Sequence, residues 1–216
     1  MKNKTVWIGG GLIVLATVAY TLWVMPSVPP RIITHWGLDG KPDGWSSKET
    51  GLWIGVGAQV FILLLMGLLP RVSPKKARID EFQGAWNTVT ISLMLFFAFF
   101  QYLMVRSALG PFDTVRTMMF GMMIMFAVIG NVMGKAKRNY FMGVRTPWTL
   151  ESEEVWFRTH RLAGKLMVGG AALGLLLLVI GLEPMWTLPI VLIASLYPVL
   201  YSYLLYRKLH PNGASA

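Results

Sequence analysis

The chain has 216 residues, 55% of them apolar and only 14% charged, with a mean hydropathy of +0.55; a soluble domain carries about 25% charge, so an ordinary soluble fold is excluded. There is no cysteine, which removes disulfides, zinc thiolates, iron–sulfur clusters and thiol nucleophiles together. The net charge of +10 lies in short stretches beside apolar runs, a pattern that points to orientation in an anionic membrane and not to direct binding of nucleic acid.

A hydrocarbon core about 30 Å thick takes roughly 20 residues of helix, at about 1.5 Å each. Uncharged apolar windows of that size occur at residues 6–25, 51–69, 87–105, 117–134, 166–182 and 187–206. They predict an all-α, polytopic membrane protein with six transmembrane helices. The first window follows Lys2 and Lys4, but it is longer than a signal-peptide core and no A-x-A site follows, so it is expected to be a retained helix. Small residues recur four apart at Gly51 and Gly55, Gly130 and Gly134, and Gly170 and Gly174, spacing that lets helices approach closely.

Six crossings place both termini on one side. That side carries fourteen Lys and Arg in the two tails, the loop 70–86 and the loop 135–165, against five on the other, with Lys165 left at the boundary. The bias predicts N-in and C-in, with loops 70–86 and 135–165 cytoplasmic. Two units are expected: residues 1–70, two helices with a structured outer loop, and 71–216, four helices with a cytoplasmic loop at 130–165.

No Asp, Glu, Lys, Arg or His falls in the middle of a window, where the polar residues include Gln59, Thr90, Ser92 and Gln101. Ion-coupled transport usually needs an ionisable group near the midplane, so it is disfavoured. The three histidines, His35, His160 and His210, form neither H-E-x-x-H nor accompany a G-x-S-x-G motif. No catalytic residue, metal or cofactor is expected.

The outer loop 26–48 reads PSVPPRIITHWGLDGKPDGWSSK. Asp39-Gly40 and Asp43-Gly44 predict two successive tight turns in a compact loop. His35, Asp39 and Asp43, four apart, would suit a cation on a helix, but the glycines oppose a helix. Local roles are expected instead: Asp side chains closing turns, with Trp36 and Trp45 anchored at the membrane interface.

Residues 130–165, GNVMGKAKRNYFMGVRTPWTLESEEVWFRTHRLAGK, are the most specific stretch. Lys135, Lys137 and Arg138 make a basic collar at a span end, suited to lipid headgroups. Thr146 before Pro147 is held extended, and a helix is expected to follow, capped by Thr149 or Ser152, with Glu154 four residues before Arg158. On it Trp156 and His160 are neighbours one turn apart. Two readings stay open: a short interfacial helix in this fourth loop, or convergence of Asn131, Asn139, Arg145, Glu154, Thr159, His160 and Arg161 as a polar pocket at the inner mouth of the bundle.

The run N-Y-F-x-G-V-R-T-P-W-T-L, then E-E-V-W-x-x-T-H-R and G-K, resembles the SdpI/YfhL family of bacterial membrane proteins. The upstream P-x-x-P, H-W and D-G-x-x-D-G-W-x-S-K pattern resembles a domain of unknown function that often precedes it. By this resemblance Asn139, Tyr140, Gly143, Arg145, Thr146, Pro147, Trp148, Glu154, Trp156, Thr159, His160 and Arg161 occupy signature positions. The family implies a multi-pass protein of the bacterial plasma (inner) membrane that confers immunity to a secreted, membrane-active peptide toxin. It also implies recruitment of a cytoplasmic transcriptional repressor when toxin is present; membrane lipids are the remaining expected partners. The alternative from another class is a membrane-embedded enzyme or a lipid or small-molecule transporter, with His160 and Glu154 as acid and base.

Overall fold

The structure, a computed structural model, describes residues 4–37, 39–72 and 79–211. Six long helices carry the expected spans: α1 (Lys4–Val24), α2 (Lys48–Val72), α3 (Gln83–Leu109), α4 (Thr114–Met133), α6 (Glu153–Val179) and α7 (Thr187–Leu209). A short α5 (Pro147–Glu151) precedes α6. All six long helices are apolar and long enough to cross a membrane. They turn large apolar side chains outward, among them Leu15, Phe61, Ile124, Leu176 and Ile193. A bilayer solvates such a surface and water does not, so this is a multi-pass membrane protein. Lys2, and Lys75, Lys76 and Arg78 of the basic loop, lie outside the described residues.

The largest departure from the predicted spans is at the start of α6. The helix expected over Trp156 and His160 is the first part of a 27-residue helix that runs on into the fifth span. Ser152 starts it, its Oγ accepting from the Val155 N–H at 3.4 Å, and Glu153 and Glu154 favour its positive end. No proline interrupts the chain from there to Val179, so nothing ends the helix at the membrane boundary. A separate five-residue helix, α5, precedes it and does not include Trp156 or His160.

The outer loop departs as well, because it contains an antiparallel hairpin of β1 (Arg31–Trp36) and β2 (Pro42–Ser47). The Asp39-Gly40 turn is present: Gly40 has φ +74°, and the Asp39 carboxylate accepts from the Lys41 N–H at 3.1 Å. The expected turn at Asp43-Gly44 is not. Both residues sit within β2, with Gly44 opposite His35. The Arg31–Trp36 run, β-branched at Ile32, Ile33 and Thr34, supplies the strand preference that the turn residues obscured. Ile32 then points into the bundle, where it is buried with Val24, Val28, Leu52, Met104 and Val105.

α3 packs against α1, α2 and α4, while α6 lies between α4 and α7. Inside the first group the two glutamines do the same job from different helices. Gln59 Nε2 donates to Thr17 Oγ1 at 3.1 Å and the Met94 carbonyl at 3.3 Å; Gln101 Nε2 donates to Thr21 Oγ1 at 3.2 Å and the Leu52 carbonyl at 2.7 Å. Each ties three helices together where the apolar surroundings of a bilayer give no hydrophobic drive between helices. α4 and α6 cross at Gly130 and Gly164. A Cβ on Gly164 would stand 2.6 Å from the Gly130 carbonyl oxygen, so only glycine permits this approach.

Candidate functional site

The stretch from Gly134 to Ser152 is a folded cap over one end of the bundle. It begins with Asn139, 1% exposed, whose side chain organises its own turn. Its Nδ2 donates to the carbonyls of Lys137 (2.8 Å) and Met142 (3.1 Å), and its Oδ1 accepts from the N–H groups of Phe141 (2.8 Å) and Met142 (2.7 Å). Both donors and both lone pairs are used, which is why a buried amide is tolerated here. The turn drives Met142 into a core shared with Val6, Phe82, Trp86 and Val132, with Phe141 edge-on to Trp86 at 6.5 Å. The Arg145 guanidinium secures the outer side by donating to the Tyr140 carbonyl at 2.6 Å.

The next contact fixes the cap to α6. His160 is completely buried, its Nε2 3.0 Å from the Val144 N and its Nδ1 2.8 Å from the Trp156 carbonyl. Val144 N–H can only donate, so Nε2 accepts and Nδ1 carries the proton: a neutral imidazole of one tautomer, with neither nitrogen free. Trp156 stacks on the ring, centroids 3.9 Å apart and planes 18° from parallel, and donates its indole N–H to the Ala136 carbonyl at 2.8 Å. Gly143 lies against the Nε2 edge of the imidazole. Its φ is +108°, and a Cβ there would collide with His160 Nε2.

Thr146 and Thr149 form a reciprocal capping box at the start of α5, with Pro147 in its first turn. Thr149 Oγ1 also donates to the Val144 carbonyl at 2.8 Å, so the cap of α5 and the His160 contact meet at one residue, Val144. α5 then docks on α7. Thr146 Oγ1 lies 3.0 Å from Ser202 Oγ, and the Trp148 and Tyr203 rings are 5.0 Å apart. Arg138 closes the far end of α5, donating to the carbonyls of Leu150 (3.1 Å) and Glu151 (2.8 Å), groups a helix C-terminus leaves without partners.

The polar residues that were candidates for one pocket do not converge. Asn139, Thr159 and His160 are buried, whereas Asn131, Arg145, Glu154 and Arg161 are exposed. Helical geometry separates them: Glu154 and Arg161 occupy the side of α6 opposite the stack, where Glu154 pairs with Arg158 at 2.6 Å and Arg161 lies 5.9 Å from the Phe157 ring. Thr159 Oγ1 is buried without a hydrogen-bond partner. The sequence reading missed Ser202, Thr149 and Met142 as parts of the site, and assigned Arg138 only to the basic collar. The S/T-P-x-T spacing from Thr146 to Thr149 is the signal that would have found the capping box; Ser202 carries none, being distant in sequence.

At the other end, His35 Nδ1 and Asp43 Oδ1 pair across the hairpin at 2.5 Å, and Asp39 lies 3.9 Å from Lys41. Among the described residues no three His, Cys, Asp or Glu come together as a metal site. Trp45 is half exposed, while Trp36 packs beside Ile32 and Met104.

A family model described as the SdpI/YfhL protein family matches residues 135–202, from the basic collar through the cap to Ser202. Over that region the chain resembles the SdpI/YfhL family. A second model, a domain of unknown function designated DUF1648, matches residues 12–60, which hold the hairpin. The chain is 27% identical over 193 residues to the Immunity protein SdpI of Bacillus subtilis (strain 168), covering 87% of this chain and 88% of that relative. No solved structure matches. Six helices long and apolar enough to cross a membrane, together with the similarity to a bacterial immunity protein, mark a multi-pass bacterial membrane protein. The SdpI/YfhL region begins and ends on the two sides of the cap's own contacts, Lys135 at the end of α4 and Ser202 under Thr146.

Proposed function

We propose that this is a bacterial immunity protein that protects its membrane against a secreted, membrane-active peptide toxin. The observation that carries the reading is the similarity to Immunity protein SdpI, which runs through nearly the whole of both chains and includes both the hairpin and the cap. The mechanism is obstruction: a bundle tied by Gln59 and Gln101 and closed by the cap binds the peptide or denies it a place to insert. In this reading the N-terminal unit 1–70 presents the hairpin outside, and the unit 71–216 presents the cap to the cytoplasm. The charge bias, fourteen to five, supports that orientation.

Expression in a toxin-sensitive bacterium is the test. Cells carrying the chain survive a panel of membrane-active peptide toxins that kills the vector control; equal killing across the panel contradicts the proposal. A signalling role, with a cytoplasmic regulator recruited to the cap, draws support from the outward placement of Tyr140, Arg145 and Glu154. Recovery of the same soluble partners by wild type and by Tyr140→Ala/Arg145→Ala would count against it. Acid–base chemistry by His160 and Glu154 lacks a geometry: one has both ring nitrogens occupied, and the other is paired on the opposite face.

A further inference from the structure

At the rim of the capped end a cavity of about 310 Å³ opens between the end of α4 and the start of α6. Lys135, Lys137 and Arg138 line it, together with Glu153, Trp156 and Phe157. The three cations are not equivalent. Arg138 is committed, holding the last carbonyls of α5 and lying 3.9 Å from Glu153. Lys135 and Lys137 are exposed and form no ion pair with a carboxylate among the described residues. Their backbone is fixed, because the peptide unit between them is held by the Trp156 indole on the Ala136 carbonyl.

The cavity therefore presents two unmatched ammonium groups on a rigid segment. Its wall on the α6 side holds Glu153, beside Arg138, and two aromatic rings: Trp156 is buried, and Phe157 is 53% exposed with the Arg161 guanidinium over its ring. Charge and apolar surface meet in one place at the level where a span begins. Orientation of the chain explains basic residues at this end, but it requires neither a cavity nor an exposed aromatic beside them.

We propose that this cavity binds the phosphate of an anionic membrane phospholipid, with Lys135 and Lys137 as its cationic arm and Phe157 against the first part of the acyl chains. A phospholipid joins the required anion and apolar group in one molecule; a soluble phosphate supplies only the first. The inference does not depend on the immunity reading.

Native mass spectrometry of the full-length protein in mild detergent tests it, with phosphatidylglycerol, phosphatidylcholine and glycerol phosphate as probes. Phosphatidylglycerol is expected to stay bound when phosphatidylcholine does not. Lys135→Ala/Lys137→Ala is expected to weaken it about tenfold, at roughly three- to fivefold for each lysine. Lys135→Arg/Lys137→Arg and the same-end control Lys208→Gln keep it. Unchanged binding by the folded double-alanine variant overturns the proposal, as does glycerol phosphate binding as tightly as the lipid. If that variant does not fold, Lys137→Gln alone is read, and no loss in it is equally decisive against the site.

Discussion

Gly143 is the most demanding position in the cap, for two reasons that act together. Its φ of +108° is one that residues with a Cβ rarely adopt, and the space a Cβ needs is occupied by the His160 ring. Gly143→Ala must therefore either move the imidazole off the Val144 N–H or shift the backbone of the turn. We expect it to destabilise the protein by about 3 kcal/mol, the sum of strain and a broken buried hydrogen bond. Thermal unfolding in detergent measures this, with Gly84→Ala as a comparison, since nothing stands near the Cβ that alanine would add there. Equal midpoints for the two variants would mean that the Gly143–His160 contact is not as described. The same geometry explains why a histidine at 160 need not be a reactive one: each nitrogen has a structural task.

At the scale of elements, α5 is too short to be stable alone and survives by what it touches. Its capping box serves its N-terminus, Arg138 its C-terminus, and Ser202 and Tyr203 its face on α7. Ser202→Ala leaves Thr146 Oγ1 with its partners on α5 but removes the link to α7. A loss of about 1 kcal/mol is expected, in keeping with one buried hydroxyl pair. A larger-than-additive loss in Ser202→Ala combined with Tyr203→Ala would locate the docking of α5 in the pair. No measurable effect from either would contradict the docking.

Elements also show where the sequence was readable. Six apolar windows gave six helices, because a bilayer leaves the backbone few other ways to satisfy its polar groups. The hairpin was not foreseen, since Asp43-Gly44 looks like a turn until Ile32 is seen to require burial at a fixed register. The signature residues were legible as a group. Their task was not: Glu154, His160 and Arg161 are close in sequence, and only their placement around the axis of α6 separates them. Ser202, more than fifty residues beyond its partner, is the kind of contact that local pattern cannot carry.

On the scale of the whole molecule, the proposed orientation rests on the charge bias. With no native cysteine, single cysteines report it cleanly. Lys41→Cys in the hairpin turn should react with an impermeant maleimide in intact cells, and Lys137→Cys only after permeabilisation. The reverse pattern would invert the protein and place the cap outside.

The central claim is that residues 139–152 form a fixed structure keyed to α6 and α7, not a linker between spans. Hydrogen exchange of the full-length protein, followed by mass spectrometry of peptides covering this stretch, addresses it directly. The amides of Phe141, Met142, Val144, Thr146 and Thr149 are all hydrogen-bonded to side chains and should be protected for minutes or longer, on the order of helix interiors. Gly143→Ala should release them. Exchange of these amides in the wild-type protein at the rate of an unstructured chain, within seconds, would contradict the account.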